Sequence, residues 1–402
     1  MAQPLVSLGL PVYNGAASLV WAVESLLAQD FGDFELIISD NASRDGTWSL
    51  VRELAARDRR IKAVTSPVNL GARHNFLKVL FLAQGRYFKW AARDDALEPT
   101  YLASCLRVLA DDPKVAICYT AARLVQNQTE EVRVHREGYQ LDQGDPWERF
   151  RAQMVQMRLC NAFYGLMPLE AVCRTGLLRD TREVFAWDNL FLAEMALQGK
   201  VLELPDPLIR RGVRSGDLRI ADHLARMETI DSPQEKVSGL TCPHLRMLMA
   251  YAGLVKAAML PPGRKTELLA WVLSTGLARW GGRLDFELRR FLELVERGVY
   301  RVGWGESREG AEPTEASRPL DLYYVPELLR DLEDWLFLLP KNPLLYQARY
   351  RLLHEMGRPE EAQAVRRAVE SGDIRRRGLP RPALAPAVCA KLPTLFPPGY
   401  AD

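Results

Sequence analysis

Residues 85–95 read Gly-Arg-Tyr-Phe-Lys-Trp-Ala-Ala-Arg-Asp-Asp, and this stretch decides the fold. A helix-breaking glycine precedes an apolar run, which predicts a short buried strand over Tyr87–Ala91. Two adjacent carboxylates, Asp94 and Asp95, follow at the end of that strand. Carboxylate oxygens suit a hard divalent cation that also bridges to phosphate. An isolated Asp-Asp pair, however, is more often a solvated turn or a helix cap.

The same alternation of strand, loop and helix extends on both sides of that stretch. Buried strands are predicted at 5–12, 34–39, 61–65 and 115–121, and helices at 16–29, 75–83, 100–110 and from the loop at Gly46 to about Arg57. This order predicts an α/β fold with a mostly parallel, Rossmann-like sheet covered on both faces. Ligands bind beyond the carboxyl ends of the strands in such sheets. We therefore expect the loops at Tyr13-Asn14, Asp40-Asn41 and Asp94-Asp95 to converge on one cleft.

Composition and charge exclude several classes of protein. A net charge of +2 gives no signature of nucleic-acid binding. None of the 6 cysteines pairs at Cys-x-x-Cys spacing and none of the 5 histidines pairs at metal-ligand spacing, so neither a zinc site nor a disulfide framework is expected. No signal peptide and no apolar run of membrane-spanning length is apparent. We expect a cytoplasmic protein whose membrane association, if any, is peripheral and on the inner face.

Four segments together resemble the family 2 glycosyltransferases of the GT-A fold. The segments are 6–14 (Val-Ser-Leu-Gly-Leu-Pro-Val-Tyr-Asn), 39–47 (Ser-Asp-Asn-Ala-Ser-Arg-Asp-Gly-Thr), 69–71 (Asn-Leu-Gly) with Asn75, and 85–95. They occur in the order and spacing of the family, and the resemblance covers about residues 4–215. It implies a GT-A nucleotide-diphospho-sugar transferase fold and a hexosyltransferase-type sugar transfer with inversion at the anomeric carbon.

The resemblance also implies the residues that bind the donor and a metal. The donor nucleotide would be bound by Pro11, Val12, Tyr13, Asn14, Asp40, Asn41, Asn69, Gly71, Arg73, Arg93 and Asp94. Asp94, with Asp95 beside it, would hold Mn²⁺ or Mg²⁺ on the diphosphate, where a cation stabilises the charge of the departing nucleoside diphosphate. Ala92 replaces the first Asp of the usual Asp-x-Asp-Asp motif, which removes a contact assigned to the ribose. Asn41 stands where many members have Asp, and uracil and thymine both stay open as the base.

A direct displacement needs a general base that takes the proton of the acceptor hydroxyl. The family places this acid where a loop opens a helix, and Ala186–Gly199 matches that region, so Asp188 is the predicted base. An N-cap of the same helix is the alternative role for Asp188, and Glu183 is a weaker rival as base. The residues expected on the acceptor or diphosphate side are Tyr164, Gly165, Trp187, Arg211 and Arg214. Phe163 is a further candidate to stack on a sugar, although strand aromatics are more often core.

The expected domains are a GT-A domain at 1–228, with a donor half at about 1–125 and an acceptor half at about 126–228, a helical region at 229–305, a linker at 306–320 and a second helical region at 321–402. The last region resembles tetratricopeptide repeats, and an unrelated helical bundle fits it about equally well. Its helices are candidates for acceptor binding, membrane association or a homo-oligomer contact.

The leading hypothesis is a polysaccharide-biosynthesis enzyme that uses a nucleotide-sugar donor, with UDP- or dTDP-sugars favoured. The acceptor would be a surface glycan, a lipid-linked saccharide or a protein. A GT-A scaffold that binds nucleotide sugars without turnover is the alternative, motivated by Ala92 and by the helical C-terminal half. A nucleotidyltransferase fits less well, because the Gly-rich N-terminal loop expected of that class is absent.

Overall fold

A computed structural model describes residues 3–126, 130–138, 140–156, 160–176, 187–212, 242–296, 325–339, 343–355 and 358–370. The chain divides into two compact units, Met1–Thr181 with Asp188–Lys236, and Arg182–Trp187 with Val237–Asp402. The expected linker at 306–320 and the candidates Glu183 and Arg214 lie outside the described residues.

Strands and helices alternate along the first unit, as the sequence predicts. They are β1 (Val6–Val12), α1 (Ala16–Leu27), β2 (Phe34–Asp40), α2 (Thr47–Arg57), β3 (Ile61–Thr65), α3 (Ala72–Phe81), β4 (Tyr87–Trp90), β5 (Asp95–Leu97), α4 (Tyr101–Asp111), β6 (Val115–Gln126), β7 (Glu130–His135), α5 (Pro146–Gln156), a 3₁₀ turn (Asn161–Tyr164), β8 (Met167–Pro168), α6 (Leu169–Arg174), α7 (Trp187–Gln198) and β9 (Lys200–Gly212). The helices α1, α2 and α3 cross back in turn to bring β2, β3 and β4 into the first sheet, which is how parallel strands are joined.

The strands form two sheets. The first has the order β3-β2-β1-β4-β8, in which β1 pairs in parallel with β2 and β4, β2 pairs in parallel with β3, and β8 pairs antiparallel with β4. The second has the order β5-β9-β6-β7, in which β9 is parallel to β6 and antiparallel to β5. Every residue of β1 and β2 is buried, as expected for strands covered on both faces. The predicted α/β class is confirmed.

The structure corrects two local predictions around the site. Asp95 is not part of a loop, because it begins β5 and pairs with Arg211 of β9. Asp188 is not an N-cap, because α7 begins one residue earlier, at Trp187, and places Asp188 in the first turn. Both differences arise from pairing and packing that a local sequence pattern does not encode.

An aromatic cluster packs the elements that carry the site against one another. Trp90 of β4 stacks on Phe163 of the 3₁₀ turn, with ring centroids 4.6 Å apart and planes 7° apart. Phe191 of α7 meets both rings edge-on, at 5.4 and 5.6 Å, and Phe76 of α3 lies 5.8 Å from Phe163. Each such pair contributes about 0.5–1.5 kcal/mol beyond burial. The cluster therefore fixes α7 and the 3₁₀ turn relative to β4, and Phe163, 3% exposed, is core rather than a surface for a sugar.

The second unit consists of helices in its described part: α8 (Pro243–Ala257), α9 (Pro262–Glu296), α10 (Val325–Leu338), α11 (Pro343–Glu355) and α12 (Pro359–Glu370). A buried carboxylate, Glu287 of α9, caps α8 by accepting from the backbone N–H groups of His244 at 3.0 Å and Leu245 at 3.2 Å. Asp331 of α10 is fully buried and pairs with Arg246 of α8 at 2.8 Å. These contacts join α8 to α9 and α10, and the resemblance to tetratricopeptide repeats stays a prediction. No helix in the described ranges is both long enough and apolar enough to cross a membrane.

Candidate active site

The loops after β1 and β2 are joined by hydrogen bonds at the carboxyl ends of those strands. The backbone N–H of Asn14 donates to Ser43 Oγ at 2.8 Å, and Asn14 Oδ1 accepts from the backbone N–H of Arg44 at 2.9 Å. The backbone N–H of Gly15 donates to Thr47 Oγ1 at 2.9 Å. Asn14 has a left-handed backbone, φ 48°, which asparagine tolerates better than most residues. The two predicted donor loops therefore form one connected surface.

Asn41 connects this surface to the loop at residues 69–71. Its Nδ2 donates to Asn69 Oδ1 at 2.7 Å and to the Gly71 carbonyl at 3.1 Å, and its Oδ1 accepts from the Leu70 N–H at 2.9 Å. Both amide protons of Asn41 are thus used within the protein. Gly71 has φ 83°, a conformation that favours glycine. Asn41 acts by holding the 69–71 loop, so its amide protons do not distinguish one base from another.

Asp40 is the polar side chain of this surface that keeps an unused oxygen. Its Oδ2 accepts from the Ser43 N–H at 3.3 Å and from the Thr65 hydroxyl at 3.2 Å. Its Oδ1 is buried and has no hydrogen-bond partner in the part of the chain that the structure describes. Buried polar atoms are normally paired, so this oxygen can accept a hydrogen bond from water or from a bound molecule.

The acidic pair lies where β4 passes into β5, and its two members have different surroundings. Asp94 is half-buried, whereas Asp95 is only 8% exposed. The Gly212 N–H donates to the Asp94 carbonyl at 3.1 Å and to Asp95 Oδ1 at 3.2 Å. A Cβ at position 212 would lie 2.4 Å from that carbonyl, so only glycine fits there. Burial, followed by the charge of Asp94, raises the pKa of Asp95 to about 7, against the opposing effect of Arg211.

A buried cation, Lys89, and a half-buried one, Arg211, accompany Asp95. Lys89 of β4 is 1% exposed, donates to the carbonyls of Tyr164 and Trp90, and lies 4.8 Å from the ring centroid of Tyr101. Burial lowers the pKa of Lys89 to about 8, with Cys105 and Asp95 opposing the shift. Arg211 of β9 lies opposite Asp95 in the strand register, and its guanidinium is 6.0 Å from the ring centroid of Tyr164. Lys89 and Arg211 therefore place positive charge next to the acidic pair.

Asp188 lies in the first turn of α7, near the positive end of the helix dipole. Its Oδ1 accepts from the Asn189 N–H at 2.9 Å and from Asn189 Nδ2 at 3.2 Å. The neighbouring Cys160 has φ 55°, a strained conformation for cysteine, at the entry to the 3₁₀ turn. Burial, with Asp188 and Glu137 nearby, raises the pKa of the Cys160 thiol.

The charges of Asp94, Asp95 and Asp188 all affect the pKa of the Tyr164 hydroxyl. Burial raises the pKa of Tyr164, and the charges of Asp95, Asp94 and Asp188 raise it further, while Arg211 opposes them. Charges influence a group in this way only at short range. Asp94, Asp95 and Asp188 therefore lie near one another, although they belong to the turn after β4, to β5 and to α7.

The sequence model described as "Glycosyl transferase family 2" matches residues 7–179, which include the donor loops and the acidic pair. The chain carries a family 2 glycosyltransferase domain. This confirms the family that the four sequence segments predict.

Several curated relatives of this family 2 domain are polysaccharide synthases by name. The chain is 30% identical over 161 residues to a chondroitin synthase of Escherichia coli, a match that covers 40% of this chain and 22% of the relative. It is 26% identical over 168 residues to a hyaluronan synthase of Pasteurella multocida, covering 42% and 16% of the two chains. A glycosyltransferase of Haemophilus influenzae with no assigned role is 23% identical over 220 residues, covering 52% and 65%. The chain thus spans less than two thirds of the length of each of these relatives.

A solved structure shares the fold of the family 2 domain and of the helices that follow it. Residues 1–349 of Staphylococcus aureus TarS, solved in complex with UDP-GlcNAc, align over 91% of this chain and 92% of that chain, with a TM-score of 0.52 and 16% identity. At this level of identity the likeness shows the fold alone. The predicted GT-A fold is confirmed.

The other predicted site residues of the family 2 domain have identifiable positions. Val12 lies at the end of β1, where its carbonyl accepts from the Asn41 N–H at 2.9 Å. The Arg93 side chain crosses Gly15, where an added Cβ would lie 2.8 Å from its Cδ, and its Nη1 donates to Ser18 Oγ at 3.3 Å. Pro11 lies in β1, Tyr13 directly after it, Arg73 in the first turn of α3, and Trp187 at the start of α7.

Gly165 has a packing role. A Cβ there would lie 2.5 Å from Ile117 Cγ2 and 3.0 Å from the Cys118 carbonyl, both in β6. Glycine is therefore required by the close approach of β6 to the end of the 3₁₀ turn.

Sequence reasoning missed Lys89, Asn161 and Gly212 as parts of this site. Lys89 lies inside an apolar strand, and the local sequence pattern does not distinguish it from a lysine with a purely structural position. Gly212 follows a pair of arginines, and no local pattern indicates that it contacts the acidic pair. A lysine in a strand with both faces covered was the one available signal, since lysine is almost never fully buried unless it is paired.

Proposed function

We propose that the family 2 domain is an inverting glycosyltransferase that moves a sugar from a nucleoside-diphosphate donor to a hydroxyl acceptor. The observation that carries the proposal is a chain of contacts that joins the acidic pair to the start of α7. The Gly212 N–H donates to the Asp94 carbonyl and to Asp95 Oδ1. The adjacent Arg211 donates to Asn161, and Cys160 lies 3.9 Å from Oδ1 of Asn189, the residue after Asp188. A metal–diphosphate site and a general base must lie within one sugar's width of each other for direct displacement, and this arrangement supplies both groups together.

The unpaired Oδ1 of Asp40 supports a base with a ring N–H. Uracil and thymine both present N3–H beside carbonyl oxygens, whereas neutral cytosine has no ring N–H at that position. This argument disfavours a cytidine donor. Guanine also carries a ring N–H, at N1, so the preference for UDP- and dTDP-sugars over GDP-sugars rests on the family resemblance. Asn41 contributes by keeping the 69–71 loop in place beside the base.

The donor set around the acidic pair fits Mn²⁺ or Mg²⁺. Such ions are commonly held by one or two carboxylates, with phosphate oxygens and water completing the coordination. Asp94 is the proposed ligand, because it is half-buried and its side chain is not committed to the Gly212 N–H. Among the described residues there is no group of three or more metal-ligating side chains, which agrees with a site completed by the substrate. A bound cation would stabilise the negative charge of the leaving diphosphate.

Asp188 would take the proton from the acceptor hydroxyl. As that proton moves to the carboxylate, the acceptor oxygen forms its bond to the anomeric carbon, and the bond from that carbon to the phosphate oxygen breaks with its electron pair leaving on the nucleoside diphosphate. A single base and a single displacement invert the anomeric carbon. Lys89 and Arg211 contact Tyr164, and their charges oppose the rise in the pKa of Asp95.

The acceptor proposed is a hydroxyl of a growing saccharide. The support is that two relatives of the domain are named chondroitin synthase and hyaluronan synthase. A surface glycan or a lipid-linked saccharide meets this description, and a glycosylated protein is the remaining candidate. We propose action on the cytoplasmic side, as a soluble or peripheral protein.

Thermal-shift measurements with UDP, dTDP, GDP and CMP, each with and without Mn²⁺, test the donor proposal. UDP or dTDP is expected to raise the melting temperature in a Mn²⁺-dependent manner, and CMP is expected to leave it unchanged. Asp40→Asn should remove the shift, because Ser43 N–H holds the remaining oxygen and turns an N–H towards the base. Asp33→Asn, at an exposed position of the same unit, is the matched control. No shift with any nucleotide would overturn the proposal.

A further inference from the structure

A buried amide donor without a partner lies beside the acidic pair. Asn161, the first residue of the 3₁₀ turn, is 6% exposed. Its Nδ2 is buried and makes no hydrogen bond to any group in the described ranges. A buried N–H that makes no hydrogen bond costs free energy, and in folded proteins such a group calls for a partner such as water or a ligand.

Arg211 fixes the orientation of this amide. An Arg211 Nη1–H donates to Asn161 Oδ1, and a guanidinium has no acceptor atom. The oxygen of the amide must therefore face Arg211, and Nδ2 must face away. The backbone N–H of Asn161 donates to Glu137 Oε1 at 3.1 Å, which holds the residue from a second direction.

Contacts link Asn161 both to the acidic pair and to the start of α7, which carries the proposed base. Arg211, which it contacts, lies opposite Asp95 in the strand register. Cys160, the preceding residue, has its Sγ 3.9 Å from Oδ1 of Asn189, next to Asp188. In a direct displacement the leaving diphosphate and the base lie on opposite sides of the anomeric carbon. The group that occupies the space between them is the transferred sugar.

The charges around Asn161 favour an uncharged oxygen as the partner of Nδ2. Glu137 and Asp188 both lie close enough to raise the pKa of Cys160, and their carboxylates repel a phosphate. The nearby cation, Arg211, already contacts Asn161 Oδ1 and interacts with Asp95. A sugar hydroxyl or an acyl carbonyl accepts a hydrogen bond without adding charge.

We propose that Asn161 Nδ2 donates a hydrogen bond to a hydroxyl or acyl carbonyl oxygen of the transferred sugar, so that Asn161 helps determine which sugar is used. The inference rests on the proposed function, because that function places the diphosphate at Asp94 and the base at Asp188. It adds a sugar-contacting residue that lies outside the donor loops and the acidic pair.

Asn161→Asp is the variant that isolates the donor. It keeps an oxygen for Arg211, so the contact that orients the side chain survives. The NH₂ group is exchanged for a carboxylate oxygen, which removes the donor and adds a negative charge. Calorimetric titration with Mn²⁺ present compares UDP with the tightest of UDP-glucose, UDP-galactose and UDP-N-acetylglucosamine. We expect the affinity for UDP to stay within about twofold of wild type, and that for the nucleotide sugar to fall roughly ten- to a hundredfold.

A set of deoxy and deoxyfluoro analogues of that nucleotide sugar then identifies the oxygen. One analogue should bind wild type more weakly than the unmodified nucleotide sugar does. Asn161→Asp should bind that analogue and the unmodified nucleotide sugar equally well, which is the signature of a shared contact in a double-mutant cycle. If Asn161→Asp does not fold, the analogue series on wild type still decides, since equal binding of every analogue contradicts the proposal.

The titrations distinguish a failure of this inference from a failure of the proposed function. If wild type binds UDP but Asn161→Asp discriminates the nucleotide sugar as wild type does, this inference is wrong and the proposed function stands. If wild type binds no nucleotide at all, the proposed function is wrong and this inference falls with it.

Discussion

The two edges of the candidate site are built from different interactions. The base edge is formed by the loops after β1 and β2 and by residues 69–71. It is held mostly by hydrogen bonds between uncharged groups, with the Asn41 amide at its centre and the Asp40 carboxylate beside it. The charged edge, formed by Asp94, Asp95, Lys89, Arg211 and Asn161, contains ionisable side chains removed from water. An edge made of neutral hydrogen bonds recognises shape and pattern, whereas buried charge is suited to stabilising charge that develops during a reaction. Changes at the charged edge should therefore affect turnover, and changes at the base edge should affect nucleotide affinity.

Asp94→Ala should have the largest effect. Removing the proposed ligand abolishes metal-assisted stabilisation of the leaving diphosphate, and we expect turnover to fall about 10³-fold. Release of UDP from a nucleotide sugar in the presence of Mn²⁺, followed against metal concentration, measures the loss. The exposed Asp33→Ala is the control. Retention of Mn²⁺-dependent turnover in Asp94→Ala would place the metal elsewhere.

Asp188→Asn should reduce transfer about 10²–10³-fold, because the amide cannot accept the acceptor's proton. Binding of UDP should be unchanged, since Asp188 lies away from the base edge. Glu194→Gln is the matched control on the same helix, because Glu194 accepts from the Gly176 N–H at 2.6 Å and the amide oxygen of Gln preserves that contact. An equal loss of transfer in both variants would mean that α7 has been disturbed and that Asp188 is not the base.

The base edge was more predictable from the sequence than the charged edge. The donor loops follow continuous apolar runs, and strand order alone places their ends together, so Asp40 and Asn41 are found by pattern. Asp94 is the member of the charged edge that the same pattern finds. The charged edge depends on partners far apart in sequence, such as Lys89 with Tyr164, 75 positions away, and Arg211 with Asn161, 50 positions away. Such pairs arise from the packing of β4, β9 and the 3₁₀ turn. Neither composition nor periodicity encodes them.

Lys89→Met tests whether buried charge at the charged edge has a cost in stability. Burial lowers the pKa of Lys89 from 10.5 to about 8. Between those pH values the unfolded chain binds more protons than the folded chain, so the free energy of unfolding of wild type should rise with pH across this window. Below pH 8 Lys89 is charged in the folded protein, so the full free-energy cost of burying that charge is present. The variant should lack the rise, which amounts to about 3 kcal/mol.

Urea unfolding at several values between pH 7.5 and 10.5, followed by tryptophan fluorescence, measures this difference. Lys114→Met, at an exposed position of the same unit, is the control and should follow wild type. Parallel pH profiles for wild type and Lys89→Met would show that Lys89 carries no such cost.

Asn41→Ala should have the smallest effect and should act on affinity alone. The change removes the three hydrogen bonds that hold the 69–71 loop, and we expect UDP to bind roughly tenfold more weakly, equivalent to about 1–2 kcal/mol. The maximal rate at saturating donor should be unchanged, because the charged edge is untouched. Asn41→Asp sharpens the test, since it keeps the acceptor for Leu70 N–H but directs an oxygen at Asn69 Oδ1 and the Gly71 carbonyl. A fall in maximal rate with either variant would show that the two edges are not separable.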